Sequence, residues 1–170
     1  MPIMMIFVLL VIALIVISGL SSGRQLQSAG DVSNAQQQVG TIVSNIQSLY
    51  ANNVDYSNLS NTVACSAKVF PQGCSGGQNV TNPFGGGITV WPDAGPPPDF
   101  NVALAVPSNA ACVQIATSIP AWQVNVWNQS SSSPLLLNPA GGAVSPAAAQ
   151  QNCMFGSNNI VDFKFLKTSQ

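Results

Sequence analysis

The first 20 residues constrain the fold of this chain more than any other segment. Residues 1–20 read MPIMMIFVLLVIALIVISGL, and the first charged side chain in the sequence is Arg24. A helix of about 20 apolar residues, at about 1.5 Å each, spans the hydrocarbon core of a bilayer, which is about 30 Å thick. The sequence therefore predicts an N-terminal helix that is apolar on every side and must be buried in a membrane or among other apolar helices.

The apolar run differs from a cleavable signal peptide. Such a peptide has a basic region, then a shorter apolar core and a small-residue cleavage site, whereas no basic residue precedes this run. We therefore expect that a short basic leader has been removed and that Met1 is a processed N-terminus. A native start codon at Met1 is the alternative.

Residues 24–52 continue the helix with a different pattern. Apolar residues recur at steps of three and four, the period of an amphipathic helix, while the other face is Gln, Ser and Asn. The apolar positions are Leu26, Ala29, Val32, Ala35, Val39, Ile42, Val43, Ile46, Leu49 and Tyr50. We predict one helix of about 50 residues, in which residues 1–23 form the apolar half and residues 24–52 the amphipathic half.

Two glycines interrupt this predicted helix. Gly19 and Gly23 are its weak points, because glycine in a helix interior costs about 1 kcal/mol. They indicate either a bend or melted segment, or a place where small residues pack against a neighbouring helix.

The remaining residues, 53–170, predict a globular domain with a small antiparallel sheet. Turn signals such as Gly85-Gly86-Gly87 separate short strand-like runs. A helix is predicted over 108–118, with Ser108 or Asn109 as its N-cap. The predicted strands are 88–91, 100–106, 123–127 and 160–165. The fold class is therefore α+β, with a long N-terminal helix packed on the sheet.

The chain of 170 residues has very few charges. Lys and Arg number four, acids five and His none, so charged residues are 5% of the sequence, against about 25% in a typical domain. Such a chain has no basic patch for nucleic acid and lacks the commonest acid–base and metal-binding residues. We therefore expect no enzyme activity, no cofactor and no direct contact with nucleic acid. A weakly charged surface also favours association with copies of itself.

The four cysteines predict two disulfides in an oxidising compartment. They allow three pairings, and no pair has the CxxC spacing of a metal site. The short spacing and the intervening Pro71-Gln72-Gly73 turn favour Cys65–Cys74, which leaves Cys112–Cys153. Four free thiols in a reducing compartment are the alternative, although the N-terminal segment favours export.

The candidates for a chemical site are weak. The acids are scattered along the chain, at Asp31, Asp55, Asp93, Asp99 and Asp162. Asp93 and Asp99 flank a Gly-Pro-Pro-Pro segment and are candidates for a calcium site, but a solvated turn is the simpler interpretation. We therefore predict no catalytic and no metal-binding residues.

Four further residues are candidates for catalysis or carbohydrate binding. Lys68 is a candidate for a Ser–Lys dyad, but nothing in the sequence supports that chemistry. Trp91, Trp122 and Trp127 are expected to be core or subunit-contact residues rather than a platform for carbohydrate.

Taken together, these features resemble a type IV pilin, and more closely the type IVb group, which includes the toxin-coregulated pilin and the thin-pilus pilins of conjugative plasmids. The more specific pieces are residues 35–39 leading to 46–50, Asn82-Pro83-Phe84, Cys112-Val113-Gln114 and the final strand at 160–165. By this resemblance, Cys112 and Cys153 occupy the positions of the two cysteines that bound the D-region loop.

The resemblance implies a structural protein that polymerises. A prepilin peptidase would remove the leader and the amine of Met1 would be methylated. Subunits would wait in the inner membrane until an ATPase-driven machine assembles them into an extracellular filament that contacts host or recipient cells. The residues implied in the filament core are Met5, Phe7, Leu10, Ile12, Leu14 and Ile17.

Two positions, Pro2 and Met5, depart from the family pattern, and Pro2 fits the first turn of a helix, where no N–H partner is required. Type IV pilins usually have Glu at the fifth mature position, where this chain has Met5. The alternative function, a pseudopilin of a type II secretion system, is disfavoured because those proteins usually carry that Glu and, in the major form, a calcium site. A membrane-anchored enzyme is disfavoured by the absence of His and Glu.

Overall fold

A computed structural model describes residues 29–93, 95, 98–127, 134–138, 142–153 and 159–167. The predictions for residues 1–28 lie outside this part of the chain: the apolar span, Met1, the residues from Met5 to Ile17, and Gly19 and Gly23. Among the helices of the described residues, none is both long and apolar enough to cross a bilayer.

Helix α1 (residues 29–49 of the described chain) has the predicted amphipathic stripe. Ala35, Val39, Ile42 and Ile46 are each no more than 1% exposed, because steps of three and four place them on one face. The stripe continues to Tyr50, so Leu49, which the sequence pattern had included, points away from the core and is 42% exposed.

After α1 the chain forms a short helix, α2 (Asn61–Ser66), which the sequence analysis did not predict. The hydroxyl of Ser60 caps it by accepting a hydrogen bond from the backbone of Val63. A disulfide then joins Cys65 to Cys74 across a tight loop, as predicted. We call residues 65–74 the stapled loop.

Five strands form one sheet in which all hydrogen-bonded neighbours are antiparallel. The order is β1-β2-β5-β3-β4, so the last strand of the chain lies in the centre. The strands are β1 (Ile88–Asp93), β2 (Asp99–Val106), β3 (Gln123–Trp127), β4 (Leu135–Asn138) and β5 (Asn159–Leu166). Four of them match the predicted runs within two residues at each end, and β4 was missed.

The two faces of the sheet differ in chemistry. Residues that pair across strands share a face, and successive residues alternate between faces. The inner face carries a paired row, Val90, Val102, Phe163 and Val124, which is buried in the same apolar cluster as the α1 stripe. The opposite row is polar and contains Trp91, Asn101, Lys164 and Gln123, and we call this side the outer face.

Two helices complete the described structure. Helix α3 (Asn109–Ser118) connects β2 to β3 and begins with Ser108 as its N-cap, one of the two residues predicted for that role. Helix α4 (Pro146–Asn152), which was not predicted, precedes β5 and contacts α3.

Candidate functional site

The Cys112–Cys153 disulfide ties α3 to the end of α4, as predicted. Both cysteines are fully buried, and their Cα atoms are 5.9 Å apart. The bond closes a segment of 41 residues that contains β3, β4 and α4. It therefore fixes the C-terminal region of the protein to the helix that lies beside the sheet.

The Asn82-Pro83-Phe84 segment is fastened to the sheet by the buried side chain of Asn82. Its Oδ1 accepts hydrogen bonds from the backbone of Phe84 and Gly86, and its Nδ2 donates to the carbonyl of Ala105 at 2.8 Å. The backbone of Gly86 lies so close that a Cβ there would be 2.0 Å from the Ala105 oxygen. Only glycine fits at this crossing.

A second asparagine covers the edge of the sheet. Nδ2 of Asn61, in α2, donates to the carbonyl of Ile88, and its Oδ1 accepts from the backbone N–H of Val90. An amide side chain thus takes the hydrogen bonds that another strand would make with β1. This protects one exposed sheet edge from unplanned pairing.

The outer face brings together charges that are far apart in the sequence. Lys164 in β5 forms ion pairs with Asp93 in β1 and with Asp99 in β2, the latter at 3.4 Å. The sequence left a calcium site or a solvated turn open for these two acids; the structure instead places both of them in strands, where each carboxylate faces an ammonium group. The described residues contain no cluster of acids, cysteines or histidines suited to a metal ion.

Asp162 lies on the same face and is only 5% exposed. Among the described residues its Oδ1 has no hydrogen-bond partner, and its Oδ2 is 3.5 Å from the amide of Asn125. Burial raises the pKa of Asp162 to about 6, against smaller opposing effects of Asn125 and Lys164. Asp162 therefore changes charge in a pH range where ordinary carboxyl groups are already ionised.

The ion-paired groups are also perturbed. Burial raises the pKa of Asp99, and the charge of Lys164 only partly offsets it. For Lys164, burial disfavours the charged form, but the hydrogen bonds and charges of Asp93 and Asp99 outweigh it and raise the pKa.

The tryptophans are not core residues. Trp91 is half-buried, whereas Trp122 is 40% and Trp127 38% exposed. Trp127 pairs with the exposed Ile160 on the outer face, so an apolar patch adjoins the charged row. The core part of the expectation is wrong, and the subunit-contact part stays a prediction.

Two other lysines have different surroundings. Lys167 donates to the backbone carbonyls of Tyr50 and Asn53 after the end of α1, which suits a cation at a helix C-terminus. Lys68 is exposed in the stapled loop and has a backbone φ of 56°, in the left-handed region.

Sequence reasoning placed the disulfides and the strands but missed the outer-face cluster. Its members are separated by up to 71 residues, and only the strand order brings them together. The alternating pattern of residues 160–165 does place Asp162 and Lys164 on one face, and this was the available signal.

Three comparisons with known proteins bear on this architecture. The sequence matches the family described as PilS N terminal over residues 29–165. The fold matches the crystal structure of TcpA, a type IV pilin from the Vibrio cholerae El Tor biotype, with a TM-score of 0.57 and 13% identity. That match covers 79% of this chain and 98% of the other. No curated protein sequence gives a significant match.

Proposed function

Because the chain belongs to the PilS N-terminal family and has the type IV pilin fold, we propose that it is the major structural subunit of an extracellular type IV pilus. The subunits would form a helical homopolymer through their apolar N-terminal residues. The pilus would support adhesion, cell–cell contact or conjugation.

The packing of α1 carries this proposal. Ala35, Val39, Ile42 and Ile46 of its apolar stripe are buried in one core cluster with residues of the sheet and of α3, which anchors the helix to the globular domain. Gln36 reinforces the anchor by donating to the carbonyl of Ser118 at 2.9 Å. The sequence before α1 contains the apolar run of residues 1–20, which needs burial elsewhere. A filament core made of such runs would provide it.

The exposed side of α1 fits a helix surrounded by copies of itself. Ser33, Gln37, Thr41, Ser44 and Ser48 are exposed there, and none is charged. Charged groups would carry a large desolvation cost inside a filament, whereas small polar side chains permit close helix packing.

The life cycle of the subunit follows from the same proposal. A prepilin peptidase would produce Met1 as an N-methylated terminus, and the inner membrane would hold the subunits before assembly. Residues from Met5 to Ile17 would then transfer from lipid to the filament core. In the extracellular filament the core would keep about 20 apolar side chains out of water, and a buried ion pair contributes little net stability, so the filament would not depend on an ion pair at position 5.

Electron microscopy of material sheared from cells tests the function. Cells that express the chain should release long filaments whose mass spectrum is dominated by this protein, and cells lacking the gene should release none. Short filaments that stay in the periplasm would favour the pseudopilin alternative. A chain found only in the soluble cytoplasmic fraction would refute the proposal.

A matched pair of variants tests the role of the apolar run. Phe7→Glu places a charge in the predicted filament core and should abolish filaments, because a charged group is costly there. Gln78→Glu adds the same charge at an exposed position of the globular domain and should reduce filament yield much less. Equal yields from both variants would contradict burial of residues 1–23 in the filament.

A further inference from the structure

Three exposed apolar side chains lie together on the outer face, at the end of β3. They are Trp127, Ile160 and Leu136, which are 38%, 41% and 46% exposed, and we call them the apolar knob. Strand pairing puts them on one face, because Trp127 is opposite Ile160 and Leu136 is opposite the outer-face residue Asn125. Together they offer on the order of 300 Å² of apolar surface, and a patch of this size on a small domain is often a contact site.

A hollow lies on the inner side of the same sheet, beside α3. Its volume is about 310 Å³, and it is lined by the end of α3, residues 119–121 and residues 142–144, together with Val124 and Asn138. The side chain of Asn138 accepts a hydrogen bond from the backbone N–H of Val124 and donates one to the carbonyl of Gly142 at 2.6 Å. These bonds hold the wall formed by residues 142–144 against the sheet, so the hollow is preformed.

The hollow and the apolar knob have matching chemistry. Among the described residues that line the hollow none is charged, and no member of the knob is charged. An aromatic ring that enters the hollow therefore leaves water without desolvating a charge. The hydroxyl oxygens of Thr117 and Ser118 lie among the lining residues, and a hydroxyl oxygen can accept a hydrogen bond from an indole N–H.

We propose that the apolar knob of one subunit docks in the hollow of a second copy, with the indole of Trp127 inserted between α3 and residues 142–144. This contact rests on the proposed function, since it requires subunits to assemble. The knob and the hollow lie on opposite faces of one sheet, so a subunit cannot fill its own hollow and the contact is head-to-tail. Repeating a head-to-tail contact generates an open helical filament rather than a closed pair.

The small area of the knob favours a second copy over a freely diffusing partner. Its surface is well under half of the roughly 800 Å² that each partner buries in a stable complex. The knob by itself would therefore bind a free protein weakly. Subunits already joined through their N-terminal residues would have a high effective concentration, at which such a small contact can form.

Photo-cross-linking of sheared filaments tests the contact directly. The photoreactive amino acid p-benzoylphenylalanine in place of Trp127 keeps an aromatic ring there and bonds to adjacent groups on illumination. The filaments should give a covalent dimer whose linked peptides contain residues 116–124 or 142–144 of the second chain. The same photoreactive residue in place of Val63, which is 37% exposed on α2, should give no link to those residues.

Filling the hollow tests the energetics. Ala143→Trp places a ring at an exposed position that lines the hollow, so it should lower the yield of sheared filaments at least threefold. Ala147→Trp places the same ring at an exposed position of α4 outside the hollow and should leave the yield nearly unchanged. Trp127→Ser should lower the yield as Ala143→Trp does, whereas Val63→Ser should not. Intact disulfides by mass and cooperative unfolding of the purified full chain will show that the variants fold.

Several results would overturn this contact while leaving the proposed function intact. They are filaments that give no dimer through position 127, a dimer linked only to other surfaces of the chain, and a product that contains a different protein in place of the second copy. Normal filament yield from Ala143→Trp would also overturn it. Absence of wild-type filaments would instead refute the proposed function.

Discussion

Replacing Asp162 with asparagine should make the protein more stable at neutral pH. The carboxylate is 5% exposed in the central strand, and one of its oxygens has no hydrogen-bond partner in the described part of the chain. The nearest cation on its strand, Lys164, is already paired with two other aspartates. Keeping a buried carboxylate ionised in these surroundings lowers the free energy of unfolding. The amide has nearly the same shape and no charge.

The pKa sets the size and direction of the effect. The pKa of Asp162 is about 6 in the folded protein, against an ordinary value of 3.8 for an aspartate in water. The folded state therefore binds the proton more tightly. The resulting stabilisation is complete below pH 3.8 and is lost as the pH rises through 6. At about 1.4 kcal/mol for each pH unit between the two pKa values, the ionised carboxylate costs about 3 kcal/mol above pH 7.

Urea unfolding of the purified full chain, with disulfides intact, measures this effect. Asp162→Asn should match the wild type near pH 4 and exceed it by about 3 kcal/mol at pH 7.5. For a slope of 1–3 kcal/mol per molar urea, the midpoint should rise by about 1–3 M. A variant that is less stable than the wild type at pH 7.5 would refute the reasoning.

Asp55→Asn is the matched control for the same measurement. Asp55 is exposed, and its hydrogen bonds from Ser57 lower its pKa, so its contribution to stability is present above the unfolded pKa and lost as the pH falls. Asp55→Asn should therefore slightly lower the free energy of unfolding at pH 7.5. A rise in stability at neutral pH for both variants would point to net charge rather than to burial of Asp162.

Three further predictions concern stability. Gly86→Ala should cost about 3 kcal/mol in chemical unfolding because its Cβ would overlap a carbonyl of β2, while Gly87→Ala, which meets open space, should be nearly neutral. Replacing Cys112 and Cys153 by serine should cost about 4 kcal/mol and stop pilus accumulation without blocking synthesis, and normal piliation would contradict this. Opening the stapled loop in the same way should cost less, about 2.5 kcal/mol, because it closes only nine residues, and calorimetry can rank the two losses.

The elements that local pattern determines were predictable from the sequence. The α1 stripe follows from steps of three and four, and the helix α3 from a serine N-cap before a short apolar segment. The disulfide partners followed from spacing and a turn. The helix residues are close together in sequence, and the four cysteines allow only three pairings.

The elements that were missed depend on tertiary contacts. Helix α2 has only six residues and one buried side chain, Ala64, so its sequence carries almost no periodic signal. Helix α4 is similarly short and buries Ala149. Strand β4, LLLN, lacks alternation, and its register with β3 contains an irregularity. Short segments of this kind are stabilised by packing rather than by propensity.

The outer face shows most clearly why a local pattern is insufficient. Alternation in residues 160–165 correctly separates Val161 and Phe163 from Asp162 and Lys164, and that pattern alone predicts a solvated polar side. Strand order changes the outcome, because β5 lies between β2 and β3 and their side chains flank Asp162 on both sides. The same order carries Lys164 to two aspartates more than 60 residues earlier in the chain. A raised pKa and a cluster of ion-paired side chains are therefore properties of the topology, and they arise here from a sequence with almost no charge.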